Sequence, residues 1–207
     1  MSLAEPPNED QATEAAPSWS TWDDLEREAL GCTKCPLAEG RTQVVFGVGN
    51  READLVFVGE GPGAEEDKQG VPFVGRAGQL LTRLIEGIGL TRDDVYICNV
   101  VKCRPPGNRD PLPLEIATCR PYLEAQLDLL QPSVVVTLGN FATKLLLDTT
   151  TGITKLRGQE FPARDGETVI VPTLHPSAVL RNGGTALAQS RADFVVAKRA
   201  VARAAQP

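Results

Sequence analysis

Short apolar runs alternate along the chain with longer segments whose apolar residues recur at helical spacing. This alternation is typical of a mostly parallel sheet with helices on both of its faces. The sequence therefore predicts an α/β fold with three layers, α/β/α, around a central, mostly parallel sheet. The apolar runs predict four strands of that sheet, over residues 54–58, 95–101, 134–138 and 168–171.

Helices are predicted where apolar residues lie three and four positions apart. Leu80, Leu84 and Ile88 share one face of such a segment, with Leu81 and Ile85 beside them. The same spacing predicts helices over residues 114–130, 141–147 and 190–204, a shorter helix over residues 22–30 capped by Ser20 or Thr21, and a hairpin turn at Asp165 and Gly166.

The first 18 residues lack this pattern. They are rich in Pro, Glu, Ala, Gln and Ser and contain a single leucine, so they cannot bury enough apolar surface to offset the entropy of ordering. The sequence predicts a disordered acidic tail over residues 1–18 and one globular domain over residues 19–207. It shows neither the roughly 20 apolar residues of a membrane span nor a signal peptide. We therefore expect a cytoplasmic monomer with no membrane partner.

The net charge of −6 is unusual for a protein that binds DNA, because such affinity comes largely from Lys and Arg side chains beside phosphates. Residues 1–28, however, contain eight acidic side chains against Arg27 alone, which leaves the rest of the chain nearly neutral. That remainder permits nucleic acid binding without demonstrating it. Its basic clusters are Lys102, Arg104 and Arg109, and Lys198, Arg199 and Arg203.

Unusual residues follow three of the predicted strands. The glycine-rich loop 59–63, Asn99 and the pair His175-Pro176 each lie at or just past the C-terminal end of a strand. In open α/β sheets, ligands bind at this edge. The sequence therefore predicts that these three features line one pocket.

The loop 59–63 together with Ala64 formally matches the G-x-G-x-x-A fingerprint of dinucleotide-binding proteins. That fingerprint requires a helix that begins at once, with its N-terminus facing a pyrophosphate. Here three carboxylates follow at residues 65–67 and would repel a pyrophosphate, and Gly70 and Pro72 interrupt the segment. We therefore expect no nucleotide cofactor.

Four of the five cysteines form two pairs, Cys32 with Cys35 and Cys103 with Cys119. Thiolates at CxxC spacing can bind a metal centre from a single turn, and a second pair can complete four ligands. Spacing alone does not separate a zinc ion from a 4Fe-4S cluster, and reduced cysteines without metal are the alternative. Cys98 lies inside a predicted strand and is expected to be a small core residue.

Several motifs follow one another along residues 32–181. The first cysteine pair is followed by Gly-Arg-Thr at 40–42, Val-Gly-Glu-Gly-Pro-Gly at 58–63, Gly-Val-Pro-Phe-Val-Gly at 70–75, Asn-Val-Val-Lys-Cys-Arg-Pro-Pro at 99–106, Asn-Arg at 108–109, Cys119, and His-Pro-Ser at 175–177. In this series the chain resembles the family 4 uracil-DNA glycosylases, the thermophile-type enzymes with a 4Fe-4S cluster. The resemblance implies a uracil-DNA glycosylase-like fold and removal of uracil from double- or single-stranded DNA. It also implies an iron-sulfur cluster, rather than zinc, at Cys32, Cys35, Cys103 and Cys119.

Two alternatives use similar motifs differently. A uracil-trapping relative binds DNA covalently through a histidine in an Arg-Arg-Ile-His insertion, which this chain lacks, and His175 is its only histidine. The other alternative is a non-catalytic nucleic-acid binding module held together by an iron-sulfur cluster or zinc. Such a module has no need of a pocket that reads uracil, so a complete set of pocket residues favours the enzyme.

Asn99, Phe73 and His175 are the candidate uracil-binding residues. A glycosylase extrudes the nucleotide and reads its Watson-Crick edge, and the Asn99 amide can donate to uracil O4 and accept from N3–H, a pattern that cytosine reverses. The resemblance implies that Phe73 stacks on the base and that the catalytic His175 donates to O2 as negative charge develops there. Each has a structural alternative: a turn cap for Asn99, a core position for Phe73 and a purely structural role for His175.

The group that positions the attacking water is open in the sequence. In the better-known uracil-DNA glycosylases this loop reads Gly-Gln-Asp-Pro-Tyr, whose aspartate handles water and whose tyrosine excludes thymine, whereas this chain has Gly61 and Gly63 there. We place Gly61 in the catalytic and uracil-binding loop, and Glu60 as the candidate for water placement or electrostatic support, with a structural loop role as the alternative. The resemblance puts Glu66 beside uracil C5, and Asp67 is the competing residue.

DNA contacts are expected beyond the histidine. Val179 and Leu180 are candidates to enter the minor groove and hold the gap left by the flipped base, and the alternative is that both simply begin a helix. Arg181 and Ser177 are candidates for phosphate contacts. Arg104, directly after Cys103, is a further candidate for DNA binding.

Overall fold

The computed structural model describes residues 19–206. Its central sheet has six strands in the order β1-β3-β2-β4-β6-β5, of which the inner four run parallel and the two at the edges antiparallel. The predicted mostly parallel sheet is confirmed. The strands are β1 (Val48–Gly49), β2 (Leu55–Gly59), β3 (Tyr96–Asn99), β4 (Val134–Leu138), β5 (Phe161–Pro162) and β6 (Val169–Thr173).

Helices cover both faces of the sheet, which confirms the predicted three layers. One face packs against α4 and α9 and the other against α5 and α6. The α-helices of the described residues are α1 (Trp22–Leu30), α2 (Leu37–Gly40), α3 (Ala64–Gln69), α4 (Arg76–Gly87), α5 (Pro113–Leu130), α6 (Asn140–Leu147), α7 (Ile153–Leu156), α8 (Pro176–Asn182) and α9 (Gly184–Ala204). None of them is long and apolar enough to cross a membrane.

The core divides where successive strand residues point to opposite faces. In β2, Leu55 and Phe57 pack under α4 and α9, whereas Val56 and Val58 pack under α5 and α6. All five residues of β2 are buried, as expected for the central strand of a parallel sheet. Cys98 is fully buried in the second of these clusters, which confirms that it is a core residue.

Several local signals in the sequence are confirmed. The Thr21 hydroxyl accepts the amide of Asp24 and caps α1, as one of the two predicted capping residues. The turn at Asp165 and Gly166 joins β5 to β6, with the Asp165 carboxylate accepting the amide of Thr168 and Gly166 at φ +77°.

Other boundaries differ from those predicted. The last helix begins at Gly184 rather than at residue 190, because Ala186 also faces the core.

A short helix, α3, begins at Ala64 directly after loop 59–63, and the expected interruption comes only at Gly70, at φ +70°. The carboxylates of residues 65–67 lie in its first turn, where they complement the helix dipole. The expectation that no helix follows the loop at once is therefore wrong, and the three carboxylates of the first turn are what disfavour a bound pyrophosphate. Residues 1–18, predicted to be a disordered tail, lie outside the described residues.

The order in which the chain adds parallel strands to the sheet reverses at β2. From β2 it moves to β3 on one side, and it then returns to place β4 and β6 on the other side. The four parallel strands end at the same edge, and this point of reversal is where open α/β sheets form their ligand crevice. The expected convergence of loop 59–63, Asn99 and His175 follows from this topology.

Candidate active site and metal centre

A cleft of about 560 Å³ opens at the carboxyl edge of the parallel strands. Its walls come from the segments that follow β2, β3, β4 and β6, so the predicted single pocket is present. The sequence-predicted residues that line it are Glu60, Gly61, Glu66, Phe73, Asn99, His175, Ser177 and Arg181.

Asn99 ends β3 with its side chain in the floor of the cleft. The residue is 1% exposed, and its Oδ1 is buried without a hydrogen-bond partner among residues 19–206. A buried acceptor left unpaired costs about 1–3 kcal/mol, so such an atom indicates a partner that is supplied from outside the chain. The neighbouring Gly59 leaves room for it, since a Cβ there would lie 2.4 Å from Asn99 Oδ1 and 2.6 Å from Phe73 Cζ.

Phe73 forms one wall, 7% exposed, in a strained backbone conformation at φ +54°. The Arg92 guanidinium donates to the carbonyls of Pro72 at 2.8 Å and Phe73 at 3.2 Å and holds this turn in place. Gly78 is required beneath it, because a Cβ there would lie 1.9 Å from the Phe73 carbonyl oxygen. The Phe73 ring centroid lies 5.9 Å from that of His175, so the two rings face the same space.

His175 precedes α8, and its ring nitrogen Nδ1 accepts the backbone amide of Ser177 at 3.2 Å and lies 2.7 Å from the Ser177 hydroxyl. A backbone N–H can only donate, so Nδ1 is the acceptor and the proton of the neutral ring lies on Nε2. Burial, together with the charge of Arg181, lowers the pKa of His175 to about 4. The ring is therefore neutral near pH 7, with an Nε2–H donor beside the cleft.

Glu60 is a half-buried carboxyl directly after β2. Burial, with the charge of Asp110 adding to it, raises the pKa of Glu60 to about 7. Both side chains line the cleft, which makes them a pair of carboxyls in one site. Gly61 lies against Val101, two residues after the end of β3. A Cβ on Gly61 would be 2.7 Å from Val101 Cγ2, so an aspartate at position 61 would displace Val101.

The four paired cysteines come together away from the cleft. Cys32, Cys35, Cys103 and Cys119 line one small cavity, although they derive from segments up to 87 residues apart in the chain. Cys98 is not among the residues that line it. The predicted four-thiol site is therefore present in the fold, and the fifth cysteine is separate from it.

Burial and one basic side chain determine the electrostatics of this cavity. Burial raises the pKa of the Cys119 thiol to about 11 and also raises that of Cys103, with neighbouring cysteines adding to both shifts. The Arg41 guanidinium donates to Cys103 Sγ at 3.4 Å. Within residues 19–206, no three His, Cys, Asp or Glu side chains are arranged to hold a single metal ion. Four thiols that line one cavity would provide four ligands to a metal centre bound there.

Comparison with known proteins identifies the family. A family model described as the uracil DNA glycosylase superfamily matches residues 46–199. A relative named type-4 uracil-DNA glycosylase from Thermotoga maritima is 55% identical over 73% of this chain and 79% of its own length. Relatives of the same name from Sulfurisphaera tokodaii and Archaeoglobus fulgidus are 47% and 48% identical, over 76% of this chain in each case and over 75% and 82% of their own lengths. The chain belongs to the type-4 uracil-DNA glycosylases.

Glu66 and Asp67 face different surroundings. Glu66 Oε1 accepts the amides of Val74 at 2.9 Å and Gly75 at 3.0 Å, so the carboxylate ties α3 to the turn that carries Phe73. Asp67 points away from the cleft, and its Oδ1 accepts the amide of Thr42 at 2.9 Å. Of the two candidates, the structure places only Glu66 in the cleft.

The candidate DNA-contacting residues also differ in whether they reach the cleft or the surface. Ser177 and Arg181 line the cleft, and Leu180, which precedes Arg181 in α8, is 40% exposed. Val179 is 2% exposed and packs in the core under α4 and α9. The predicted role of Val179 in the minor groove is therefore wrong, because α8 turns this residue inward.

The basic cluster proposed around residue 102 is also different from the sequence prediction. Lys102 is 2% exposed and cannot meet a phosphate. Arg109 lines the cleft and is paired with Glu115 at 2.6 Å, and Arg104 donates to Asn108 Oδ1 at 2.7 Å. Of this cluster, Arg109 is therefore the cation at the cleft, and the carboxylate of Glu115 partly neutralises its charge.

Several cleft residues were not predicted from the sequence. Among them, Gly139, Asn140 and Phe141 follow β4, and Asp110 is the acidic residue whose charge acts on Glu60. A strand end was the available signal for the first three, since β4 was predicted and its C-terminal edge is the same edge of the sheet. Asp110 has no such signal, because it lies in a loop between β3 and α5.

Proposed function

We propose that the protein hydrolyses the N-glycosidic bond of a flipped-out deoxyuridine in DNA, the first step of base excision repair. The buried, unpaired Oδ1 of Asn99 carries this proposal, because it is an acceptor in a cleft that also offers an aromatic wall and a neutral imidazole donor. The relatives named type-4 uracil-DNA glycosylase support it.

The proposed pocket reads the base through three side chains. Asn99 accepts from uracil N3–H through Oδ1 and donates to O4 through its amide nitrogen, whereas cytosine would place an acceptor against the Asn99 acceptor. Phe73 stacks on the base, a contact worth about 1–3 kcal/mol in other base-binding proteins. His175 donates from Nε2–H to O2, where negative charge develops as the base departs.

The sugar passes through a cation-like transition state that water then captures, as in other glycoside cleavages. Glu60 is the proposed electrostatic support or water-positioning group, because it lines the cleft and carries the raised pKa that a proton-accepting carboxyl needs. Gly61 supplies backbone and space rather than a carboxylate at the neighbouring position. Glu66 is proposed to shape the pocket indirectly, because its carboxylate fixes the turn that holds Phe73.

Glu60 predicts the pH dependence of the reaction. Because its pKa is raised to about 7, the carboxylate form increases as the pH rises from 6 to 8, and kcat/KM on uracil-containing DNA should rise with it and level off. Glu60→Gln should remove this rise and lower the plateau about tenfold, equivalent to about 1.4 kcal/mol. Asp110→Asn is the matched variant: it removes the neighbouring charge and should shift the rise to lower pH. A Glu60→Gln profile that keeps the wild-type rise would refute this role.

Contacts to the DNA backbone are proposed for the surface beside the cleft. Leu180 is the remaining candidate for the gap left by the flipped base, since it is exposed where Val179 is not. Arg181 and Ser177 are proposed to bind the phosphates that flank the flipped nucleotide, because both line the mouth of the cleft. Arg104 is also proposed to contact DNA, because it donates to Asn108, which lines the cleft.

We further propose that Cys32, Cys35, Cys103 and Cys119 hold a 4Fe-4S cluster, with zinc the less favoured centre. The support is the cavity that all four thiols line, together with the family to which the chain belongs. Its proposed role is structural, since the four cysteines would join the segment before α2 to the segment after β3 and to α5. Cysteines without disulfide bonds suit a reducing compartment, so we propose a cytoplasmic location. We also propose that the protein is a monomer with one domain over residues 19–207.

Anaerobically purified protein should be brown and contain close to four iron atoms per chain if the cluster is present. Cys119→Ser should lose the visible absorbance and most of the iron, whereas Cys98→Ser, the matched control outside the cavity, should keep both. A colourless protein that contains one zinc ion per chain would contradict the iron-sulfur proposal while leaving the four-thiol site intact.

The glycosylase proposal is tested with a DNA oligomer that contains a single uracil. After incubation, alkali should cut the strand at the uracil, and an oligomer with thymine or cytosine at the same position should stay intact. Binding without any cutting would favour the non-catalytic module instead. A protein band shifted by DNA on a denaturing gel would indicate covalent trapping, which the absence of a second histidine argues against.

A further inference from the structure

Lys102 is the most deeply buried cation of the described residues, at 2% exposure, and nothing in the proposed chemistry uses it. Burial of an ammonium group is costly unless hydrogen bonds replace its water. A charge in such a position therefore needs an explanation beyond the packing of its methylene groups.

The ammonium group meets the residue that is proposed to read uracil. Lys102 Nζ donates to the backbone carbonyl of Asn99 at 2.8 Å and also to Oε1 of Gln126. Gln126 is itself fully buried and is fixed by donation from its Nε2 to the Phe46 carbonyl at 3.0 Å and to the Tyr96 hydroxyl at 3.2 Å. The network thus aims the ammonium at the Asn99 backbone.

The other end of Lys102 meets the four-cysteine site. Its backbone amide donates to Cys119 Sγ at 3.2 Å, the next residue is Cys103, and Lys102 is among the residues that line the cysteine cavity. Its backbone carbonyl accepts the amide of Val45 at 2.8 Å. One residue therefore contacts both the metal site and the base-reading strand end.

We propose that Lys102 is a positioning residue that fixes Asn99 in the uracil pocket from an anchor at the four-cysteine site. This inference rests on the proposed function of Asn99. The Asn99 Oδ1 has no partner within residues 19–206 that would set its place, so its position depends on its own backbone, which Lys102 holds at the carbonyl. Misplacement of a reacting group by about 1 Å can cost a hundredfold in rate, so a smaller displacement has a measurable effect.

Lys102→Met keeps the length of the side chain and removes the donor and the charge. We expect kcat/KM on a single-uracil oligomer to fall about tenfold, with affinity for uracil-free DNA unchanged. Lys198→Met is the matched control, because Lys198 Nζ also donates to a backbone carbonyl, that of Ile88 at the C-terminal end of α4, and neither residue lines the cleft. It should leave kcat/KM unchanged.

A double-mutant cycle with Asn99→Ala separates positioning from general stabilisation. If Lys102 acts through the Asn99 amide, Lys102→Met should cause no further loss once that amide is gone, measured under single-turnover conditions with excess enzyme. An undiminished tenfold loss in the Asn99→Ala background would overturn the proposal, as would wild-type activity of Lys102→Met itself. If uracil cutting by the wild-type protein is absent altogether, the proposed function fails and not this coupling alone.

The state of the cysteine site is followed in the same samples by visible absorbance and iron content. Both should be retained in Lys102→Met, and their loss together with activity would overturn positioning in favour of a role in metal binding. Gln126→Leu is the second variant if Lys102→Met does not fold: it leaves the ammonium in place and removes one of the two acceptors that aim it. A loss of about threefold, absent in the Asn99→Ala background, is expected, and an unchanged kcat/KM would contradict the proposal.

Discussion

Asn99→Ala is expected to lower kcat/KM on uracil-containing DNA by about a thousandfold. The substitution removes two buried hydrogen bonds to the base and leaves N3–H and O4 of uracil without partners in a site from which water is excluded. Each unpaired buried group costs about 1–3 kcal/mol, and a loss of about 4 kcal/mol corresponds to three orders of magnitude in rate. Single-turnover cutting of a single-uracil oligomer, developed with alkali, measures the effect.

Asn99→Asp separates reading of the base from packing of the pocket. The aspartate has nearly the same size, and it can accept from N3–H, but its carboxylate offers no donor to O4. A loss close to that of Asn99→Ala is therefore expected, with unchanged binding to uracil-free DNA. If Asn99→Asp cuts uracil within threefold of the wild type, the amide does not read the base, and the unpaired Oδ1 of Asn99 needs another explanation.

The fold could be predicted from the sequence where a segment is long and its pattern uniform. The run of residues 134–138 lies between Pro132-Ser133 and Gly139, and it forms β4 with the predicted limits. The edge strands β1 and β5 contain two residues each, too few to show the alternation that identifies a strand. Their pairing is decided by neighbouring strands that lie far away in the sequence.

The site could be predicted to the extent that it follows from strand ends. Asn99 and His175 each follow a parallel strand, so the topology alone brings them to one edge. Val179 was mispredicted because a residue two or three positions into a short helix can face either way, and only the packing of α8 between α4 and α9 decides. Lys102 shows the same limit, since no local pattern marks a lysine that points inward.

Phe73 and Glu60 depend on tertiary structure in a further way. The conformation of Phe73, at φ +54°, is imposed by the Arg92 guanidinium and by the close approach of Gly78, which come from outside its motif. The raised pKa of Glu60 comes from burial and from Asp110, which lies in a loop 50 residues away in the sequence. A motif names these side chains, but their chemistry is set by neighbours that it does not contain.

His175→Ala is expected to lower kcat by about a hundredfold to a thousandfold. The reason is loss of the Nε2–H donor to uracil O2, where loss of a comparable oxyanion donor costs about 2.7–4 kcal/mol. Because the interaction strengthens as the base acquires negative charge, the loss should appear in kcat more than in KM. Ser177→Ala, which removes only the hydroxyl beside Nδ1, should cost much less, because the Ser177 amide still fixes the tautomer.

The pH dependence tests which form of the histidine acts. With its pKa lowered to about 4, His175 is neutral throughout the range from pH 5 to 8 and contributes no change in rate there. The rise in activity near pH 7 belongs to Glu60, so His175→Gln should keep that rise at a lower plateau. A wild-type rate that falls as the pH increases from 4 to 6 would show that the imidazolium is the active form. The same measurement therefore distinguishes a neutral donor at O2 from a charged one, and it does so independently of the size of the loss in His175→Ala.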